Sequence, residues 1–278
     1  MKNLIGFELY KIFRKWRSYI GFIAITLLVL VVETAMYFEG DKYLHFLTRS
    51  LQDTFFFTGN LLNGYLIAYY VLGALVIHIP FLITLVNGDL LAGEATMGTY
   101  RMLLSRPVSR FQIITSKFLA GQIYSFLLII WLGVLSIGLG TLLFGSGELI
   151  VVQDVITVFS KDDVLWRFVS AYLLASLSMG VVAGLAFLFS SLVENAIGPI
   201  ISTMTIIIVF LILSAINIDF FRALKPYLFT SYSMDWRLFF GSEIDAGEIW
   251  KSIGVLSLHI AVFYSVTLFI FKRKDILS

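Results

Sequence analysis

The sequence contains no cysteine, and its 278 residues include only three histidines and four prolines. Without cysteine there can be no disulfide, no thiolate metal site and no thiol nucleophile. No Gly-x-x-x-x-Gly-Lys-Ser/Thr loop is present, so the chain does not bind ATP in the P-loop manner, and no His-Glu-x-x-His pattern offers a metal site. We therefore expect a non-catalytic chain, with no catalytic residue and with no cofactor or metal of its own.

Charge is also scarce, since Asp, Glu, Lys and Arg make up only 14% of the residues, whereas soluble domains contain about 25%. Hydrophobic residues reach 59%, and the mean hydropathy is +0.93. These values exclude an ordinary soluble domain and predict an integral membrane protein. The net charge is only +2, and we expect no nucleic-acid partner.

Long apolar runs predict six transmembrane helices, because about 20 apolar residues are enough to cross a bilayer. The expected fold class is an all-α integral membrane protein with a single transmembrane domain over residues 1–278. The expected spans are 19–38, 64–86, 110–144, 167–192, 197–216 and 252–271.

Two amphipathic or aromatic stretches are expected to lie at the membrane surface. Residues 1–17 place apolar side chains on one side of a helix and lysines and arginines on the other, which predicts an interfacial elbow helix. No small-x-small cleavage pattern follows it, so we expect it to be retained rather than removed as a signal peptide. Residues 217–251 are rich in aromatic side chains, which predicts short re-entrant helices at the outer interface.

The positive charges predict the orientation of the chain. Twelve of the 20 lysines and arginines fall on the side that holds both termini, and eight are spread over longer segments on the other side. By the positive-inside rule, both termini are expected in the cytoplasm. The twelve are Lys2, Lys11, Arg14, Lys15, Arg17, Arg101, Arg106, Arg110, Lys117, Lys272, Arg273 and Lys274.

Residues 87–107 form a polar segment between the second and third predicted spans. If Leu90–Arg101 is a helix, one of its faces carries residues spaced at i, i+4, i+7 and i+11, namely Leu90, Glu94, Met97 and Arg101. Gly98 weakens this helix, and Pro107 suits the first turn of the next one. The alternative is a solvated loop whose arginines only fix the topology.

The order of residues here is Glu94, Gly98-Thr99, Leu103-Leu104, Pro107, Arg110 and Lys117. It resembles the cytoplasmic coupling segment of ABC type-2 exporter permeases, and the predicted elbow helix, spans and outer re-entrant segment are similar to that family in order. The resemblance implies a membrane permease subunit that couples ATP hydrolysis by a separate ATPase subunit to export of a substrate. The implied coupling residues are Leu90, Glu94, Met97, Gly98, Thr99, Arg101, Arg106 and Arg110. Glu194, in the short turn between the fourth and fifth spans, is a second candidate contact, or else it caps a helix end.

The same resemblance implies partners and a location. Two copies of a cytoplasmic P-loop ATPase would carry ATP and Mg²⁺, and a second permease copy or a paralogue would complete a dimer surrounded by membrane lipid. The location would be the bacterial cytoplasmic (inner) membrane. One alternative is an ATPase-driven scaffold that passes motion to an envelope or metalloenzyme-maturation protein. Another is an ion-coupled secondary carrier, which requires facing ionisable residues near the bilayer midplane.

A few polar and small residues inside the predicted spans have open roles. Glu33 is a functional candidate, or it snorkels or accepts from a neighbouring helix. His78 can bind a carbonyl freed near Pro80 or take part in a proton relay. Ser176, Gly180 and Gly184 recur at intervals of four, which favours close helix packing within the chain or across a dimer.

Overall fold

The computed structural model describes residues 1–48, 61–100, 107–153, 155–216 and 218–274. The chain is 82% helical. Among the described residues, five helices are long and apolar enough to cross a membrane, and a bent pair makes six if it counts as one span. This is compatible with an all-α, multi-pass membrane protein. The helices are α1 (Lys2–Arg14), α2 (Arg17–Thr48), α3 (Gly64–Leu75), α4 (Ile79–Asn87), α5 (Asp89–Thr96), α6 (Arg110–Phe144), α7 (Lys161–Leu192), α8 (Ile197–Ala215), α9 (Asp219–Leu224) and α10 (Ala246–Arg273).

Helix α7 is the centre of the bundle. In its most apolar stretch 72% of the residues are buried, against 11 to 33% in the other four long helices. The glycines of its small-residue stripe are used inside the chain: the amide of Gln122 in α6 donates to the carbonyl of Gly180, and Phe263 of α10 packs over Gly184. Ser176 only bonds Tyr172 of its own helix. The two glycines therefore serve packing within one chain.

The helix expected over residues 64–86 is broken. Helix α3 meets the stretch Ile79–Thr96, which contains α4 and α5, at an angle of 55°. The break precedes Pro80, which lies in the first turn of α4, where a missing N–H costs nothing. The backbone N–H of His78 donates to Leu75, and its ring Nδ1 lies 2.9 Å from the carbonyl oxygen of Ala74. His78 therefore bonds a carbonyl that the break leaves free.

Helix α6 has the bounds expected for the third span, but it does not begin at Pro107. It begins at Arg110 because Ser109 caps it, accepting from the backbone of Gln112, whose side chain bonds Ser109 in return. Near its other end α6 touches α3 through two glycines. A Cβ built on Gly64 would come within 2.3 Å of the backbone of Gly140. Only glycine allows these helices to approach so closely.

The stretch Gly145–Trp166, which separates the third and fourth expected spans, contains regular secondary structure. It contains an antiparallel hairpin of β1 (Leu149–Val152) and β2 (Ile156–Phe159), so the chain is not purely helical. Helix α7 then begins at Lys161, earlier than the expected span 167–192, with Asp162 and Asp163 in its first turn. Acidic side chains at the amino-terminal end of a helix stabilise it, because the helix dipole is positive there.

The segment expected to hold short outer helices does so where it is described. It contains α9 and three 3-10 helices, whose bounds are Lys225–Tyr227, Phe229–Tyr232 and Asp235–Phe240. Trp236 and Phe240 are buried, and their rings lie 5.3 and 5.2 Å from the ring of Tyr69 in α3. The segment is thus packed onto the bundle rather than hanging free.

Candidate functional site at the basal end of the bundle

One end of the bundle gathers α1, α5, the start of α6, the turn between α7 and α8, and the end of α10. We call it the basal end; the hairpin and the 3-10 helices form the opposite end. The elements of the basal end are joined by polar contacts between residues far apart in sequence, several of which are charged. It includes most of the segment singled out by the sequence.

Four charged side chains at the basal end form a network that is largely buried. Lys117 of α6 lies 2.8 Å from Glu8 of α1 and 2.8 Å from Glu94 of α5. Lys11 of α1 lies 2.6 Å from Glu94 and 3.3 Å from Glu8. Lys117 is only 1% exposed and Glu94 only 7%. The network ties α1, α5 and α6 together with two cations and two anions, so its charges cancel.

The network controls the protonation of Glu94. Burial by itself would raise the pKa of Glu94, but the charge of Lys117 and hydrogen bonds from Lys11, Lys117 and Thr99 lower that pKa to about 2. For Lys11, burial lowers the pKa, but the hydrogen bond and charge of Glu94, with those of Glu8, outweigh it and raise the pKa above 10.5. Glu94 and Lys11 are therefore charged at neutral pH.

Helix α5 ends earlier than the expected helix Leu90–Arg101. Gly98 has a φ of +62°, and its N–H donates to Ala95 while the N–H of Thr99 donates to the carbonyl of Glu94. This is a Schellman motif, in which a glycine at positive φ closes the helix. The Thr99 hydroxyl also donates to the carboxylate of Glu94. The predicted helical face is thus cut off after Met97, and Arg101 and Arg106 lie outside the described residues.

A second ionic contact lies beside the network. Asp89, in the first turn of α5, is 2.9 Å from Lys15 and 3.0 Å from Arg17. Between α1 and α5 there is a pocket of about 370 Å³, with Phe7 and Leu90 among its apolar walls. Residues 8–17 therefore contact α5 at two places, the network at Glu94 and this ionic contact at Asp89.

The last turn of α7 holds the other side of α5. The hydroxyl of Ser190 accepts from the backbone N–H groups of Leu91 and Ala92, at 3.0 and 2.8 Å, and donates to the carbonyl of Gly88 at 2.6 Å. Ser190 is completely buried. One side chain thus satisfies three backbone groups where α4 meets α5.

An exposed surface remains at the tip of the basal end. Met97 is 57% exposed, and Glu194 and Leu192 in the α7–α8 turn are also exposed. The hydroxyl of Thr96 donates to the carbonyl of Glu194 at 2.6 Å, so α5 and the turn form one continuous surface. Asn195 caps α8 by accepting from Gly198. We call Met97, Leu192 and Glu194 the tip surface.

The remaining predicted coupling residues lie inside the chain. Leu90 of α5 is buried. Arg110 donates to the carbonyls of Phe271, Lys272 and Lys274 at 3.1, 3.0 and 2.9 Å, so its charge sits at the carboxyl end of α10. Arg110 therefore binds the carboxyl end of α10 and is not a free cation at the surface.

The two predicted polar sites within the apolar helices are not brought together. Glu33 of α2 is 1% exposed, and neither carboxylate oxygen has a hydrogen-bond partner among the described residues. His78 is exposed on the outside of the bent pair and bonds its own segment. In the described part of the chain, no group of three or more histidines and acids could hold a metal ion.

Sequence reasoning found Glu94 but did not single out Glu8, Asp89 or Lys117 as site residues. Lys117 is a lysine within the apolar run that starts the third predicted span, which is itself a signal of function. Glu8 is the one acid among the first 17 residues. Their pairing could not be read from spacing, because Glu8 and Lys117 are 109 residues apart.

The sequence pattern of the family described as "Protein of unknown function (DUF2705)" matches residues 27–277, nearly the whole chain. The chain belongs to this family. The DUF2705 range includes Asp89, Glu94 and Lys117 but begins after α1. "Uncharacterized protein YhcI" of Bacillus subtilis (strain 168) is 26% identical over 204 residues, which are 69% of this chain and 63% of YhcI. The matched region thus spans less than two thirds of that relative.

Proposed function

We propose that this DUF2705 chain is the membrane permease subunit of an ABC-type, ATP-driven exporter of the type-2 architecture. Six spans would cross the bacterial cytoplasmic membrane, with the basal end and both termini in the cytoplasm and α1 as the elbow helix. A separate P-loop ATPase, present in two copies with ATP and Mg²⁺, would dock beneath it, and a second copy of this chain or a paralogue would complete the assembly.

The observation that carries the proposal is the buried network around Glu94. It fixes α5 to α1 on one side and to α6 on the other. Buried ion pairs that lose one partner are costly, so these three elements should move together. A force on the tip would then reach the first three predicted spans at once, as a coupling device requires.

The tip surface is the part of this device that a partner can touch. Met97 and Leu192 offer apolar side chains, and Glu194 adds an acid beside them. Methionine is enriched in protein–protein interfaces, and an apolar core beside a polar rim is their usual composition. The buried network would therefore not form the ATPase contact itself but would support the surface that does.

The test is purification of the tagged full-length chain from its native cells in mild detergent, with identification of bound proteins and an ATPase assay. The tip variant would carry Met97→Asp and Glu194→Lys. The control would carry Val158→Asp and Glu243→Lys, which alter an exposed apolar residue and an exposed acid at the opposite end. Circular dichroism and size-exclusion chromatography would check the fold of each.

We expect a P-loop ATPase to copurify with the wild type and with the control, and its yield to fall at least tenfold, or about 1.4 kcal/mol, with the tip variant. If a folded wild-type chain brings down no P-loop ATPase, the proposal is wrong. Equal recovery with the folded tip variant would also contradict it, because the contact would then lie elsewhere.

A further inference from the structure

A second cavity, of about 380 Å³, lies toward the opposite end, between α2, α3 and the 3-10 helix Asp235–Phe240. Its walls combine aliphatic and aromatic side chains with one cation, and none of its lining residues is acidic. The residues that form its polar and aromatic side are Tyr43, Tyr69, Tyr70, Trp236 and Arg237.

The polar side of this cavity is only partly paired among the described residues, since the hydroxyl of Tyr69 accepts from the side chain of Gln153 at 3.2 Å. Arg237 is exposed, its guanidinium lies 5.5 Å from the ring centre of Trp236, and no carboxylate pairs with it among the described residues. The indole N–H of Trp236 also lacks a hydrogen-bond partner in that part of the chain, but this atom is buried within the wall and is not open to the cavity. The hydroxyls of Tyr43 and Tyr70 make no hydrogen bond there either. The guanidinium of Arg237 beside apolar and aromatic walls is a group with which a carboxylate or a phosphate can pair.

We infer that this cavity binds an amphiphile with an anionic group, a carboxylate or a phosphate, and that this is the class of substrate the permease carries. Arg237 would pair with the anion, and the aromatic walls with Met36 and Ile67 would cover the apolar chain. The substrate role rests on the proposed function, whereas the binding itself does not.

The position of the cavity links it to the basal end. Gly73 and Ala74 of α3 form part of its wall, and the break between α3 and α4 begins within a few residues of them. Beyond the break, α4 leads into α5 and the network. A change in the 55° angle would therefore move one wall of the cavity relative to α5.

The nearby acid Glu33 does not reverse this assignment. A buried carboxylate would attract a cation, but Glu33 does not line the cavity, although its neighbours Val32 and Met36 do. The charge that reaches the cavity is that of Arg237. The ligand is therefore expected to be an anion rather than a cation.

The test uses the purified full-length chain in neutral detergent and follows quenching of tryptophan fluorescence by a stearate brominated in mid-chain. Its methyl ester is the uncharged match. The variants are Arg237→Gln and, as a control on another cation of the same outer segment, Arg222→Gln. Trp236→Phe identifies the part of the signal that comes from the cavity, because the chain has five tryptophans.

We expect saturable quenching by the stearate that is lost in Trp236→Phe. Its half-saturation should be about tenfold weaker for the ester and for Arg237→Gln, and unchanged for Arg222→Gln. Equal binding of acid and ester by the wild type overturns the inference, and so does an anion preference that survives in folded Arg237→Gln. If the ATPase copurifies but the stearate does not bind, this inference fails and the proposed function stands. Binding without any ATPase has the opposite meaning: the site stands and the transport role fails.

Discussion

The ammonium group of Lys117 in α6 lies 2.8 Å from the carboxylate of Glu94 in α5, and both side chains are almost completely buried. Helices α5 and α6 are joined in sequence by a segment that includes residues 101–106, which lie outside the described residues. Among the described residues, this contact and its extension to Glu8 and Lys11 of α1 join the two helices.

Replacing Lys117 with methionine should destabilise the protein strongly. Lys117→Met keeps the side-chain length but leaves Glu8 and Glu94 without their shared buried cation, which typically costs about 3–5 kcal/mol. The free energy of unfolding in mixed micelles is the measurement. Lys251→Met removes a lysine from an exposed pair with Glu248 and should change little. Adding Glu94→Gln to Lys117→Met should restore part of the loss, and no recovery would mean that the two residues are not coupled.

The stability of the protein should fall as the pH drops from about 4.5 to about 2. The pKa of Glu94 is about 2 in the folded chain, below its ordinary value of 4.5. In this window the unfolded chain binds more protons than the folded one, so acid favours unfolding. The stabilisation is complete above pH 4.5 and disappears as the pH falls through 2. Thermal unfolding across this range should show a shallower pH slope for Glu94→Gln than for the wild type; equal slopes would contradict the assignment.

Replacing Gly98 with alanine should weaken the end of α5. Its φ of +62° costs a residue with a Cβ about 1–2 kcal/mol. Gly254 in α10 is the matched control, because a Cβ there meets nothing within 4 Å and its helical backbone suits alanine. We expect Gly98→Ala to lower the free energy of unfolding and Gly254→Ala to leave it unchanged or raise it. Similar effects of both changes would argue against the Schellman motif.

Removing the hydroxyl of Ser190 should loosen α5 from the end of α7. Ser190→Ala leaves the backbone N–H groups of Leu91 and Ala92 buried without this acceptor, which costs about 1–3 kcal/mol. Hydrogen exchange of α5 should speed up in this variant. Ser176→Ala removes only a bond to the carbonyl of Tyr172 in the same helix and should have no such effect. Unchanged exchange in Ser190→Ala would show that other contacts hold α5.

The length of the apolar runs predicted most of the long helices, because this signal does not depend on which other helices they pack against. It failed where local polar signals decide a boundary. Ser160 with Asp162 and Asp163 starts α7 early, a typical helix beginning that the acidic content of the stretch obscured. The hairpin also went unpredicted, although β-branched residues fill both strands over Leu149–Val152 and Ile156–Phe159.

The candidate site was only half predictable. The sequence singled out Glu94 by its place in an ordered polar segment. The orientation of its side chain was not predictable in this way. The sequence predicted that Glu94 lies on a helical face with other coupling residues, whereas in the structure its carboxylate points inward and bonds Lys11, which is 83 residues away. A pairing at that separation depends on how helices pack, and no spacing rule contains that information. Met97 and Glu194 do lie at the surface, because the helix end and the turn leave them no neighbours to pack against.

The contact between Gly64 and Gly140 should restrict which substitutions this family tolerates at the two positions. A larger residue at Gly64 would bring its Cβ within 2.3 Å of the backbone of Gly140, and one at Gly140 would bring its Cβ to 3.0 Å from the carbonyl oxygen of Gly64, so both changes require the helices to shift. Lineages that lose one of these glycines should carry compensating changes along α3 and α6 that move the helices apart. Substitutions at the two sites are thus expected to be inherited together, although 75 positions separate them in the printed sequence.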